Sequence, residues 1–154
     1  MQFQFSAAEI SDANIISELV LTSCEKYIFP DTSSEGRETL RNLYCQPNLR
    51  KLIRERNRFL IARHQGELAG AVAMREEDKH VFLLFVAGKF RHLGLGKKLM
   101  DQLVSTIQGE ERISLNSSLY AKAFYESLGL TATGPVENRK GVAFIPMVWL
   151  REFS

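Results

Sequence analysis

The sequence predicts a fold of the α/β class in which one central sheet mixes antiparallel and parallel strands and is flanked by helices. Two observations indicate this class. The apolar periodicity is mainly helical before about residue 56 and then changes to a three-stranded antiparallel meander over residues 59–86. The last meander strand is followed by a helix and another strand, a crossover that makes those two strands parallel within one sheet.

The first half of the chain contains two predicted helices with a break between them. Ser11 and Asp12 can cap the first helix, and Ser34 can cap the second. The tetrapeptide Phe29-Pro30-Asp31-Thr32 interrupts the helical pattern. The apolar positions with helical spacing are Ile15, Ile16, Leu19 and Val20 in the first helix and Leu40 and Leu43 in the second.

The second half of the chain contains the remaining predicted elements. Strands are predicted at residues 59–63, 68–74, 80–86, 112–116, 130–133 and 142–150, and helices at residues 94–107 and 118–128. Gly109 stops the first of these helices and Gly129 the second. Pro146 predicts an edge position or a bulge in the last strand, because proline cannot donate to a ladder.

Length, composition and charge exclude several classes of protein. A chain of 154 residues with 45% hydrophobic residues fits one domain, which we take to span residues 1–154. The net charge is only +2 and the basic residues are dispersed, so we expect no nucleic-acid partner. We expect a cytoplasmic protein without membrane association, because the sequence lacks a signal-peptide pattern and the ~18 consecutive apolar residues of a membrane span.

The two cysteines, Cys24 and Cys45, carry no predicted chemistry. Neither lies in a CxxC pair or in a cluster with the spacing of metal ligands. We therefore expect two reduced thiols and no metal site.

The turn at residues 87–96 is the strongest candidate for a ligand site, because open sheets bind ligands beyond the carboxyl ends of parallel strands. Gly94 and Gly96 leave the N–H groups of the following helix accessible, and the helix dipole favours an anion there. Several basic residues lie close by in the sequence, namely Lys89, Arg91, His92, Lys97 and Lys98. The pattern predicts a phosphate site, and an ordinary tight turn before a helix is the alternative.

Two other nucleotide motifs fit this turn less well. A Rossmann fingerprint would require a third glycine where Leu99 stands. A P-loop would require serine or threonine after Gly96-Lys97, where the chain has Lys98.

The flanking residues make the identification of this turn more specific. The strand end Leu84-Phe85-Val86 precedes Phe90-Arg91-His92-Leu93-Gly94-Leu95-Gly96, which resembles the cofactor motif Arg/Gln-x-x-Gly-x-Gly/Ala of the GNAT superfamily of N-acetyltransferases. Residues 116–130 contain Phe124-Tyr125-Glu126 and Leu128-Gly129-Leu130, and they resemble the closing helix of that superfamily. With residues 141–147, they are similar to a bacterial branch of small GNAT proteins. The resemblance covers roughly residues 59–150.

The resemblance implies a GNAT-like fold in which two splayed parallel strands hold acetyl-coenzyme A, the acetyl donor. By resemblance, the pantetheine arm lies between these strands and backbone groups near Leu84, Phe85 and Val86 polarise the thioester carbonyl. The implied cofactor-binding residues are Leu84, Phe85, Val86, Arg91, His92, Leu93, Gly94, Leu95, Gly96, Lys97, Asn116, Ser118 and Tyr125. The sequence departs from the family at Gly88, where many members have proline, and at Ser118, where asparagine is common and Asn116 can substitute.

Tyr125 matches the family tyrosine that protonates the departing thiolate, so the resemblance implies a catalytic acid there. Its phenol is a hydrogen-bond donor at neutral pH. The alternative is an aromatic residue that only packs against the sheet.

The acceptor also needs a base or a water relay, since an alkyl ammonium group has a pKa of about 10.4. His80 is the predicted catalytic base, because strand alternation places it on one face with Phe82, Leu84 and Val86. A structural or solvated histidine is the alternative. The acidic turn residues Glu76, Glu77 and Asp78 are its rivals.

The predicted reaction is the transfer of an acetyl group to a primary amine by direct attack on the thioester. The acceptor is a small-molecule or peptide amine, and the resemblance places its binding mouth near residues 27–41. Tyr27, Phe29 and Glu35 in this segment could meet a cation or could simply pack. The alternatives are a non-catalytic acyl-coenzyme A sensor with the same fold and a structural interaction domain. A homodimer is left open.

Overall fold

The computed structural model describes residues 1–55, 57–107 and 112–150 of the chain. The helices are α1 (Ala13–Tyr27), α2 (Ser34–Tyr44), α3 (Gln46–Arg54), α4 (Leu95–Ser105) and α5 (Lys122–Ser127). The strands are β1 (Gln4–Ala7), β2 (Asn57–His64), β3 (Glu67–Arg75), β4 (His80–Val86), β5 (Arg112–Ser117), β6 (Thr131–Ala132), β7 (Glu137–Arg139) and β8 (Val142–Leu150). The predicted helix stop at Gly109 and the boundary near residue 56 lie outside the described residues.

The strands form a mixed sheet, as the sequence predicts. Their order is β1-β2-β3-β4-β5-β8-β6, and β7 also pairs with β8. The pair β4–β5 is parallel, and its register consists of His80 opposite Ser114 and Val81 opposite Leu115. No further β4–β5 pairing occurs in the described residues, so the two strands part toward their carboxyl ends.

Helices cover both faces of the sheet and bury two apolar clusters. The α4–α5 face buries Leu95, Leu99, Met100, Leu103, Val104 and Tyr125 against the sheet. The α1–α3 face buries Ile16, Val20, Cys24, Leu40, Tyr44 and Leu49 against it. Each buried aliphatic side chain contributes about 1.5–3 kcal/mol relative to an exposed one, so both faces stabilise the sheet that carries the site.

A β-bulge interrupts the pairing of β3 with β4 at Phe82. Met74 lies opposite Val81 and Ala73 opposite Leu83, so Phe82 is the extra residue on β4. A bulge bends its strand and changes the direction of the following side chains. This bulge comes directly after the last β4–β5 pair, at the point where the two strands part.

Several local expectations are corrected in the helical half. Ser33, not Ser34, caps α2, and its hydroxyl oxygen accepts a hydrogen bond from the Gly36 N–H at 3.1 Å. Leu43 is 38% exposed, whereas Tyr44 is 7% exposed and continues the buried face of Leu40. Ile15 is exposed as well, while Ile16 is buried.

The C-terminal elements also differ from the predicted ones. The helix predicted over residues 118–128 is limited to Lys122–Ser127. Pro146 lies opposite Asn116 in a strand that has neighbours on both sides, so of the two predicted alternatives, an edge position or a bulge, the edge position is wrong. It stands between the β8 residues that pair with β6 and those that pair with β7.

Candidate active site

The carboxyl-terminal half of β4 has a strand partner on one side only. Leu84, Phe85 and Val86 lie opposite Val72, Ala71 and Gly70 of β3, respectively. Their backbone groups that point away from β3 therefore face the gap between β4 and β5. The structure thus places these three predicted residues along the gap where β4 and β5 part.

The glycine loop ends at this same edge of the sheet. Gly94 has φ = 76° and precedes the first turn of α4, where no side chain caps the helix. The N–H of Lys98 bonds to the Gly94 carbonyl at 3.1 Å. The preceding helical N–H groups, those of Leu95, Gly96 and Lys97, have no carbonyl partner within the helix. The loop therefore presents backbone donors and a positive dipole end to an anion, as predicted.

The position of Gly96 leaves room for a neighbouring side chain, in addition to the predicted access to the helix N–H groups. A Cβ added there would lie 2.8 Å from Cζ of Phe124 in α5. At Gly94, by contrast, an added Cβ would have no neighbour within 4 Å. Glycine is favoured there because φ is positive. Gly96 therefore allows α4 and α5 to approach, and this approach brings the glycine loop next to the helix of Tyr125.

Arg91 joins the glycine loop to two tyrosines. Its guanidinium donates a hydrogen bond to the Tyr120 hydroxyl at 2.6 Å and lies 4.1 Å from the centre of the Tyr27 ring. The two tyrosine rings stack with centroids 4.9 Å apart. Of the two alternatives for Tyr27 and Phe29, a cationic acceptor or packing, both rings therefore pack against arginines of the same chain, Phe29 at 4.9 Å from the Arg41 guanidinium.

The lysines near the loop are only weakly engaged. Lys89 pairs with Glu67 at 2.7 Å and Lys97 with Asp101 at 2.9 Å, and both pairs are exposed. Lys98 lies 5.5 Å from the Phe3 ring. Exposed ion pairs are typically worth less than about 1 kcal/mol, so these ammonium groups can turn to a phosphate at low cost.

The β5–α5 turn contains the next two predicted residues. Asn116 is exposed near the end of β5. Ser118 shapes the turn, because its hydroxyl oxygen accepts a hydrogen bond from the Ala121 N–H at 3.1 Å. Both lie at the carboxyl end of β5, on the same edge as the glycine loop.

Tyr125 is buried in the α4–α5 cluster, where it is 8% exposed. Leu84 and Val86 pack against the same cluster, so Tyr125 and the β4 side of the gap share one face. Burial raises the pKa of the Tyr125 phenol above its ordinary value of 10.0. The phenol therefore stays protonated at neutral pH and can serve as a donor.

His80 lies apart from these residues, at the paired end of β4. Its Nδ1 is 2.8 Å from the Ser114 hydroxyl oxygen. Four residues of strand, about 13 Å, separate it from Leu84. Val81, Leu84 and Val86 pack on the α4–α5 face, whereas Phe82 packs on the α1–α3 face. His80 directly precedes Val81, so strand alternation places it on the face opposite Val81. The prediction that His80 shares a face with Leu84 and Val86 is therefore wrong. The bulge at Phe82 breaks the alternation on which it depended.

The surroundings of His80 favour a neutral imidazole. Burial lowers the pKa of His80 most, Arg75 and Arg139 lower it further, and Asp78 opposes them. Among its rivals, Asp78 is paired with Arg75 at 2.8 Å and Glu76 is paired with Arg58 and Lys79.

Two residues near the site were not recognised from the sequence. Tyr120 anchors Arg91, and Tyr44 packs edge-on against Phe85 with ring centroids 5.7 Å apart. Tyr44 follows Leu40 at helical spacing, which could have indicated a buried position. Its approach to β4 depends on tertiary packing and has no local signal.

Across the described ranges, no group of three or more histidine, cysteine, aspartate or glutamate residues is arranged to hold a metal ion. None of the helices in these ranges is both long and apolar enough to span a bilayer.

The fold and the site define a class of protein: a mixed sheet whose parallel strands part beside a glycine-rich helix N-terminus and a buried tyrosine. Comparison with known proteins agrees with this class. The model of the acetyltransferase (GNAT) domain family matches residues 28–151. The chain belongs to this family, and acetyl-coenzyme A as acetyl donor is confirmed at the level of the family.

Individual relatives extend this comparison. The chain is 33% identical over 90 residues to the 5-NmdU N-acetyltransferase of Pseudomonas phage PaMx11, in an alignment that covers 54% of this chain and 64% of the phage protein. A GCN5-related N-acetyltransferase from Rhodopseudomonas palustris superposes with a TM-score of 0.84 at 19% identity over 98% of this chain and 97% of that one. The PaiA N-acetyltransferase from Thermoplasma acidophilum, solved with coenzyme A, superposes with a TM-score of 0.78 at 20% identity over 98% and 100%.

Proposed function

We propose that residues 1–154 form one N-acetyltransferase domain that transfers an acetyl group from acetyl-coenzyme A to a primary amine by direct attack. One observation carries this proposal. The β4 side of the gap shares one face of the sheet with an uncapped helix N-terminus and a buried, protonated phenol. These are the groups needed to bind a phosphate-bearing thioester and to protonate its leaving group.

The residues have distinct roles in this proposal. Acetyl-coenzyme A, when bound, supplies an activated acetyl thioester. The N–H groups of Leu95, Gly96 and Lys97 hold phosphate oxygens, with help from the Arg91 guanidinium. Backbone N–H groups of β4 that face the gap stabilise negative charge on the carbonyl oxygen. Tyr125 donates its proton to the departing sulfur.

The acceptor is proposed as a primary amine on a small molecule or peptide. The phage relative is named for 5-NmdU, so this compound is a further candidate acceptor for the chain. The cytoplasmic location remains a prediction from the sequence, and a homodimer remains open.

A thiol-release assay tests the proposed function. Acetyl-coenzyme A is incubated with the protein and with small amines, polyamines, amino acids, aminoglycosides, peptides or 5-NmdU, and free coenzyme A is measured. We expect acceptor-dependent thiol release with at least one class and an acetylated amine by mass spectrometry. Saturable acetyl-coenzyme A binding without release in every class would favour the non-catalytic sensor. Absence of binding would favour the structural interaction domain.

We propose that His80 is the base and that it acts through water, because it lies outside direct reach of Leu84. Since the pKa of His80 is lowered from 6.5, kcat/KM should fall only when the pH drops below about 6.5. His80→Gln keeps a hydrogen-bonding group near Ser114. The variant should have a lower kcat, and its kcat/KM should no longer show this fall at acidic pH. If the fall at acidic pH is unchanged in the variant, the base lies elsewhere, with the acidic turn as the next candidate.

The same lowered pKa sets a control for this experiment. Between the lowered pKa of His80 in the folded chain and 6.5, His80 binds protons more readily in the unfolded chain. The free energy of unfolding therefore decreases as the pH falls through this range. Rates are therefore compared only at pH values where circular dichroism shows both proteins to be folded.

A further inference from the structure

Two buried tyrosines approach the gap from opposite faces of the sheet. Tyr125 belongs to the α4–α5 cluster, and Tyr44, the last residue of α2, belongs to the α1–α3 cluster. Burial raises the pKa of Tyr44 most, and charge on Cys24 or on Tyr125 raises it further. The two tyrosines therefore belong to opposite faces of the sheet.

The position of Tyr44 explains this approach. Its ring packs edge-on against Phe85, whose β4 segment lies beyond the last β4–β5 pair. The sheet is open there because the strands have parted. Tyr44 therefore borders the gap on the face opposite Tyr125. The buried Ser17 hydroxyl donates to the Tyr44 carbonyl at 2.7 Å and holds the end of α2 in this place.

The Tyr44 hydroxyl is available to a ligand. In the described ranges it makes no hydrogen bond to another residue, and neither does the Tyr125 hydroxyl. Both tyrosines keep a small exposed fraction, 7% for Tyr44 and 8% for Tyr125. A buried phenol usually places its polar tip on a partner. A polar ligand atom in the gap would provide that partner.

We infer that Tyr44 contacts the transferred acetyl group and that its hydroxyl donates a hydrogen bond to the thioester carbonyl oxygen. This inference rests on the proposed function. The glycine loop and Tyr125 lie on the α4–α5 face, so an acyl group carried past them enters the gap toward Tyr44. A donor at that oxygen also stabilises the negative charge that develops on it during attack.

The neighbouring groups are less suited to this contact. Burial raises the pKa of the Cys24 thiol to about 12, and a thiol is a weak donor. Ser17 already donates to the Tyr44 carbonyl. Tyr44 is protonated at neutral pH because its pKa is raised above 10.0.

The test compares the affinities for acetyl-coenzyme A and for coenzyme A by calorimetry, which needs no acceptor. Tyr44→Phe keeps the ring contact with Phe85 and deletes only the hydroxyl. It should weaken acetyl-coenzyme A binding by about 2- to 10-fold, the worth of one hydrogen bond, and leave coenzyme A binding unchanged. Once an acceptor is known, kcat should fall as well. Thermal unfolding checks that the variant folds.

A matched variant separates this contact from other effects. Tyr125→Phe removes the facing phenol and should keep the wild-type ratio, because Tyr125 acts on the sulfur. A wild-type ratio in Tyr44→Phe, or an equal fall in Tyr125→Phe, overturns the inference. If the wild-type protein binds neither ligand, the proposed function fails and the inference fails with it.

Discussion

Replacement of Tyr125 by phenylalanine should lower kcat by about 10²- to 10⁴-fold, the usual worth of general acid catalysis. The substitution preserves the aromatic packing of a residue that is only 8% exposed and removes a hydroxyl without a partner residue in the described ranges. The affinity for acetyl-coenzyme A should change little, because the lost interaction develops only as the thiolate departs. Steady-state kinetics with the acceptor from the thiol-release assay, together with calorimetry, measure both quantities.

The pH dependence provides a second test of the Tyr125 role. Burial raises the pKa of this phenol above 10.0, so its deprotonation should not reduce the rate below pH 10.0. Single-turnover measurements are needed as a control, since slow product release in the wild-type protein can hide a slowed chemical step. Wild-type single-turnover rates in Tyr125→Phe would leave this residue with a packing role.

The sequence was sufficient to predict the parts of the site that depend on local pattern. The strand 80–86 and the helix that follows the glycine loop occur nearly as predicted, because each has a clear period of 2 or 3.6. Their crossover implies the parallel pair β4–β5. The family resemblance implied that these strands splay apart. This is confirmed, because β4 and β5 pair at only two positions in the described residues.

Elements with little local pattern escaped prediction. The strands β1 and β7 are short and largely exposed, so they lack an apolar alternation. The helix α3 carries a signal that could have been used, since Pro47 stands in its first turn and Leu49, Leu52 and Ile53 have helical spacing. Only one residue, Cys45, separates α3 from α2, so the pattern of the two helices runs together.

The bulge at Phe82 shows why side-chain direction was harder to predict than strand position. The strand His80-Val-Phe-Leu-Leu-Phe-Val86 is apolar at every position after the first, so no alternation shows which residue is extra. The bulge follows from how β4 pairs with β3, which is a tertiary property. Because the bulge was not predicted, His80 was assigned to the wrong face. The contact of Tyr44 with Phe85 also has no local sequence signal, because it joins segments that are far apart in the chain.

Replacement of Gly96 by valine should weaken acetyl-coenzyme A binding by about 10- to 100-fold, the loss of one hydrogen bond to a charged phosphate. The added Cβ would stand 2.8 Å from the tip of the exposed Phe124 ring, so either this ring turns away or α4 and α5 move apart at the glycine loop. Movement of α4 displaces the N–H groups that are aimed at the phosphates. Gly88→Val is the matched control, because a side chain at Gly88 has open space within 4 Å, and titration of each folded variant with acetyl-coenzyme A measures the effect.

The double variant Gly96→Val/Phe124→Ala, compared with Phe124→Ala alone, identifies the cause of this loss. Removal of the ring removes the collision, because Phe124 supplies all three atoms nearest to the added Cβ. If helix separation is the cause, valine should cost little affinity in the Phe124→Ala background. If the valine instead blocks the phosphates directly, the full loss should persist there. Equal affinities of Gly96→Val and the wild-type protein would remove residues 91–97 from the cofactor site, whatever the cause.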